Sequence, residues 1–134
     1  MKKTYLVLIV IGILVILMAL LRFNPFDLSG EDSWIKDEKG QYVKHGFPYE
    51  TPDYVQEQQE AVLCAEDLYE QKKQEGMVFA SQCLGTCDDY AVDVVHVPRS
   101  SEDNLAENQC EDYRSGKVKH FIELDEEGEV VKIV

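Results

Sequence analysis

The stretch CLGTCDDYAVDVVHV, residues 83–97, decides how this 134-residue chain is read. It holds two of the four cysteines and then the longest run of strand character. Side chains alternate across a strand, so Tyr90, Val92, Val94 and His96 point one way and Ala91, Asp93, Val95 and Val97 the other. Both sets are largely apolar, which places the strand inside its sheet, and Pro98 ends it. The other cysteines, Cys64 and Cys110, flank this stretch, each in a segment of helical pattern. The fold class this implies is α+β: two helices on an antiparallel or mixed sheet, stapled by disulfides.

Upstream, Thr51-Pro52-Asp53 marks a helix start, with Thr as cap, Pro at the first turn and Asp at the positive end of the dipole. The helix should run to Glu75 and stop at Gly76. Ala61, Cys64, Ala65, Leu68 and Tyr69 share one face at helical spacing, and the opposite Gln- and Glu-rich face suits water. Residues 77–83 should return along it as a strand. Cys64 lies 12 residues before Gly76, about 18 Å along a helix. Cys83 lies 7 residues after it, about 23 Å along a strand. That match favours Cys64 with Cys83 and Cys87 with Cys110. Four cysteines allow three pairings, however, and Gly85 could equally let the chain close Cys83 to Cys87.

Downstream, Ser100 with Asp103 has capping-box spacing and should open a second helix. Ala106, Gln109, Cys110 and Tyr113 would form its inward face, and Ser115-Gly116 its end. Residues 118–124 and 129–133 read as a hairpin around Asp125-Glu126-Glu127-Gly128, with Val118, His120, Ile122 and Leu124 on one face.

The N-terminus sets the expected compartment. Residues 5–21, YLVLIVIGILVILMALL, form an unbroken apolar run, about 25 Å long as a helix and at the short end for spanning a bilayer. Lys2 and Lys3 precede it, and acid follows Arg22. The positive-inside rule then leaves residues 1–4 in the cytoplasm, with 5–21 as the anchor, 22–32 as a tether and 33–134 as an extracytoplasmic domain. A cleaved signal peptide is the alternative, but LLRFNPF shows no small-x-small site. In either case the cysteines meet an oxidising compartment. Beyond Arg22 ten basic side chains face 26 acidic ones, a balance of −16. Such a surface repels phosphate backbones, which excludes nucleic acid as a partner.

Trp34, Gly40, Tyr42-Val43-Lys44-His45-Gly46 and Pro48 carry a resemblance. They are similar to a W...G-x-[WY]-V-K-H-G-x-P hairpin found in small exported or membrane-anchored proteins of no known function. The resemblance spans residues 34–48 and implies an exported module.

Catalytic signatures are absent: there is no G-x-S-x-G, Gly-rich phosphate loop or H-E-x-x-H. Cys64, Cys83, Cys87 and Cys110 read first as two structural disulfides, then as a zinc set, then as a redox pair at Cys83 and Cys87. His45, His96 and His120 read as strand residues before metal ligands. Asp93 and His96 fall on opposite faces, so they make no dyad, but Asp93 on an apolar face needs a partner. The loop at 125–129 is too short for an EF-hand. The expectation is a membrane-tethered extracytoplasmic interaction or envelope-associated module without catalysis or cofactor. It would be held to the membrane by its N-terminal helix and would meet an unknown protein or envelope component. The alternative is a small exported thiol or metal protein, or an enzyme, using the cysteines and histidines.

Overall fold

The computed structural model describes residues 11–13 and 32–134. The expected anchor and tether lie outside the described residues, apart from residues 11–13 and 32. Among the described residues no helix is long and apolar enough to cross a membrane. The fold belongs to the compact unit Asp32–Val134.

That unit is α+β. Strands β1 (Ser33–Lys36) and β2 (Tyr42–His45) form a two-stranded antiparallel hairpin. Helix α1 (Asp53–Gln74) follows. The main sheet then takes β3 (Gln82–Cys87), β4 (Tyr90–Val94), β5 (His120–Leu124) and β6 (Val130–Ile133), in that order across the sheet. It is mixed, because β4 and β5 run parallel while both outer pairs are antiparallel. The parallel step needs a crossover, and the long segment between β4 and β5 provides it.

One face of the sheet is apolar and takes α1. Ala61, Val62, Ala65 and Tyr69 pack on Leu84, Tyr90, Val92, Val94, Ile122, Leu124, Val130 and Ile133. The crossover covers the other face with a smaller cluster of Ala91, Cys110 and Val118, against which Tyr113 and Phe121 lean. All five residues of β4 are buried, as its doubly apolar pattern requires. Helix α1 ends where Gly76 adopts φ +81. There Met77 N–H bonds Lys72 O and Gly76 N–H bonds Lys73 O, the paired bonds of a Schellman stop. At the other end Pro52 occupies the cap position and Thr51 makes no capping bond, contrary to expectation.

Three further expectations are corrected. Residues 77–81 form no strand; β3 begins at Gln82. The second helix is absent as a unit. Residues 102–104 and 106–108 are separate 3₁₀ turns, and α2 (Glu111–Arg114) is a single turn. Half of the capping box forms: Ser100 N–H bonds Asp103 Oδ2 at 2.6 Å, but Ser100 Oγ accepts from Glu102 N–H at 3.2 Å, two residues on. Asp103 is also tied to His96 and Cys110 to Asp93; these two fixed points, with Leu105 and Gln109 in extended backbone, break the helix. Val118 precedes β5 and joins the crossover cluster, not the face carrying Ile122 and Leu124.

Two turns of the same sequence type lock the domain. Asp37 and Asp125 each accept through Oδ1 the N–H groups two and four residues on, and Gly40 and Gly128 close the turns. The first turn bonds Ile133 N–H through Lys39 O, joining the hairpin to β6. Gln58 of α1 holds the hairpin from the other side, giving a proton to Gly40 O and accepting Tyr42 N–H.

Candidate functional site

Two clefts flank the main sheet. The first, about 500 Å³, lies where the β1–β2 hairpin, the first two turns of α1 and the β3–β4 turn converge. Tyr42, Tyr54, Tyr90 and His120 line it, with Glu57, Glu60, Asp88 and Asp89 around them. Tyr42 and Tyr54 meet edge to face at 4.9 Å between ring centres, and Tyr90 stacks on His120 at 4.8 Å. The Lys36 ammonium rests over the Tyr42 ring at 5.2 Å, so one aromatic face already holds a cation. Asp88 takes φ 50 in the two-residue turn that joins β3 to β4, a left-handed position Asp tolerates better than most residues. Among the described residues neither Glu57 nor Asp88 is paired with a cation. Burial pushes the Tyr90 hydroxyl up, and Tyr42, Glu57 and Asp89 add to the rise. The cleft is thus both partly desolvated and negative in potential, the combination that draws an organic cation onto tyrosine faces.

The second cleft, about 570 Å³, opens beside the crossover and is lined by Asp93, His96, Arg99, Gln109, Tyr113 and Glu123, among others. Asp93 and Glu123 are register partners on the parallel strands β4 and β5, only 8% and 5% exposed. Asp93 finds its partner in the Cys110 N–H, 2.9 Å from Oδ1, and Arg99 Nη1 bonds Glu123 Oε1 at 2.6 Å. Burial pushes Asp93 up to about 6; the Cys110 N–H and Arg99 oppose that rise and the Glu123 charge adds to it.

His96 and Asp93 do not form a dyad. His96 Nδ1 lies 2.9 Å from Asp103 Oδ1 and 3.1 Å from Ser100 Oγ. Serine and carboxylate share one ring nitrogen, whereas a nucleophilic triad needs them on opposite nitrogens, so this is an anchor for the crossover. Burial works against the Asp103 charge, but the N–H groups of Ser100 and His96, the His96 ring and Ser81 outweigh it and hold the carboxyl well below its usual range. His45 is exposed on β2 and His120 lines the first cleft, so the three histidines are not brought together.

The cysteines pair as Cys64–Cys87 and Cys83–Cys110, which corrects the pairing favoured by level matching. The reason is a β-bulge between Cys83 and Gly85. A regular strand would put Cys83 and Cys87 on one face. The extra residue turns Cys83 to the crossover side with Asp93, its register partner, and leaves Cys87 facing α1. With residues 77–81 out of the strand, the level of Cys64 is reached at Cys87. Gly85 sits against Leu68, one helical turn further along α1.

The first cleft escaped the sequence reading because its residues come from segments read separately. Tyr54 and Glu57 lie on the same helical face as Ala61, Cys64 and Leu68, so their spacing continues the inward stripe of α1 by two turns toward its N-terminus and gives no separate signal of a site. Asp88-Asp89 is a hairpin turn hidden in the quoted stretch. No protein-family model, curated protein or solved structure matches the chain.

Proposed function

We propose that the chain is a membrane-tethered, extracytoplasmic interaction module whose tyrosine-lined cleft binds a cationic side chain of a protein partner. The observation that carries this reading is the convergence of Tyr42, Tyr54 and Tyr90 with Glu57, Glu60, Asp88 and Asp89 around one concavity. Concave, partly apolar pockets with a few fixed polar groups are the usual seats of ligands. Two disulfides support an oxidising compartment. The apolar run at residues 5–21 with its basic flank supports an N-in, single-pass anchor.

The test is a calorimetric titration of the full chain in nanodiscs with a short peptide bearing one central lysine, against the same peptide bearing norleucine. The lysine peptide should bind and weaken with salt. Tyr54→Ala should weaken it by roughly 3- to 30-fold, the range of an exposed to a desolvated cation–π contact. Glu126→Gln, in the β5–β6 turn away from the cleft, should leave it unchanged. Equal binding of both peptides, or equal loss from Tyr54→Ala and Glu126→Gln, would refute the site.

A further inference from the structure

Asp93 lies on the crossover side of the sheet beside the Cys83–Cys110 disulfide. One of its carboxyl oxygens and both sulfurs lie within 4.8 Å of one another. Its bond from the Cys110 N–H fixes the carboxyl against the backbone of the cysteine it would serve. The two sulfurs differ in access. Both cysteines line a depression of about 250 Å³ with Gly85, Thr86, Glu111 and Asp112, and Cys83 is exposed at it. Cys110 is 1% exposed, and its Sγ sits 3.4 Å from the carbonyl oxygens of both Gly85 and Val92. A thiolate there would face two carbonyl dipoles and a carboxyl in a desolvated site, all of which disfavour negative charge. Cys110 must therefore leave as a neutral thiol, for which those carbonyls are ready acceptors. Among the described residues no carboxyl stands with both sulfurs of Cys64–Cys87 in this way.

We propose that Cys83–Cys110 is an exchangeable disulfide, attacked at Cys83 by an external thiolate, with Asp93 as the proton donor to Cys110. The external thiolate forms a bond to Cys83 Sγ as the Cys83–Cys110 bond breaks. Cys110 Sγ departs with the electron pair and takes the proton of Asp93, and the resulting carboxylate regains through the adjoining cleft the proton that the external thiol gave up to solvent on forming its thiolate. A second external thiolate then attacks the external sulfur of the mixed disulfide and releases Cys83 as a thiolate. The external thiols are oxidised to a disulfide by two electrons, and this disulfide is reduced by the same two. The charged groups facing Asp93 are Glu123 from β5 and Arg99 from the crossover, with His96 and Lys132 further along the cleft and Glu111 and Asp112 of α2 on the depression side. This chemistry goes beyond the peptide-binding reading and does not depend on it.

The test uses the oxidised full chain in nanodiscs, exposed separately to reduced glutathione and to a protein dithiol of the C-x-x-C type. The reaction is quenched in acid, alkylated and mapped by mass. Cys83–Cys110 should open roughly tenfold or more faster than Cys64–Cys87, through a mixed disulfide on Cys83. Opening by glutathione assigns a small thiol, and opening by the protein dithiol alone assigns a protein thiol. Equal rates, or Cys64–Cys87 opening first, would overturn the proposal. Asp93→Asn retains an acceptor for the Cys110 N–H but has no proton to give, so its rate per thiolate should fall on the order of 10²-fold. The wild-type rate per thiolate should decline as pH rises through the region of pH 6. A flat wild-type profile between about pH 5 and 7 removes Asp93 from the step, whether or not the variant folds.

Discussion

Gly128→Ala should destabilise the domain by about 3 kcal/mol, and the structure divides that figure into two parts. Gly128 has φ +90, where an alanine is strained, at about 1–2 kcal/mol. The added Cβ would also lie 2.5 Å from Tyr69 Cε1, 2.6 Å from Cδ1 and 2.9 Å from Cζ. That ring has little room to retreat. It stacks on Phe79 at 4.3 Å, and its hydroxyl donates to Glu126 O at 2.9 Å within the same turn. Overpacking of this kind costs about 1–3 kcal/mol. Gly76→Ala provides the control, because Gly76 has φ +81 with nothing within 4 Å of its Cβ, so it carries the strain alone. Urea unfolding of both variants, followed by far-ultraviolet circular dichroism, gives the two differences directly. If Gly128→Ala costs no more than Gly76→Ala, Tyr69 does not pack over the β5–β6 turn, and the seating of that hairpin on α1 is wrong.

Joint replacement of Cys64 and Cys87 by Ala opens a link of sequence separation 23. Chain entropy puts the loss at about 3.5 kcal/mol, read as a drop in the urea midpoint; a loss below about 1 kcal/mol would mean that the rest of the core already confines this loop. Asp93 titrates near 6 in the fold against about 3.9 in the unfolded chain. Between those values the folded state holds a proton that the unfolded state lacks, so this contribution to stability falls as pH rises from about 4 to 6. The upper bound is about 3 kcal/mol, reduced by solvent at the cleft mouth. Asp103 acts in the opposite sense and in another window, since its depressed carboxyl loses its contribution as pH falls below about 4. Subtracting the Asp93→Asn stability curve from the wild-type curve isolates the first effect, and a difference that does not change between pH 4 and 6 would refute it.

Elements governed by local chemistry were legible in the sequence. The α+β class, the span of α1, its stop at Gly76, the β5–β6 turn and the buried β4 follow from periodicity, glycine position and turn residues. These are fixed within a few residues of chain. The helix expected over residues 100–115 failed because its capping signal was real but its end points were claimed by distant groups, Asp103 by His96 and Cys110 by Asp93. Gln58 falls at helical spacing on the inward face with Ala61, Ala65 and Tyr69, but a polar side chain there does not reveal what it bonds. In the fold it is 2% exposed and carries both side-chain bonds to the hairpin.

The sequence by itself put two structural disulfides ahead of the zinc and redox readings of its four cysteines, and showed that Asp93 on an apolar face needed a partner. Only the tertiary structure decided which cysteines met and what that partner was. One inserted residue at the bulge before Gly85 reverses the face on which Cys83 lies, and no local pattern announces such an insertion. The two clefts were decided in the same way. Each is assembled from side chains that become neighbours only after the parallel crossover and the hairpin have closed over the sheet, and the energy that brings them together comes from burying apolar area elsewhere in the core.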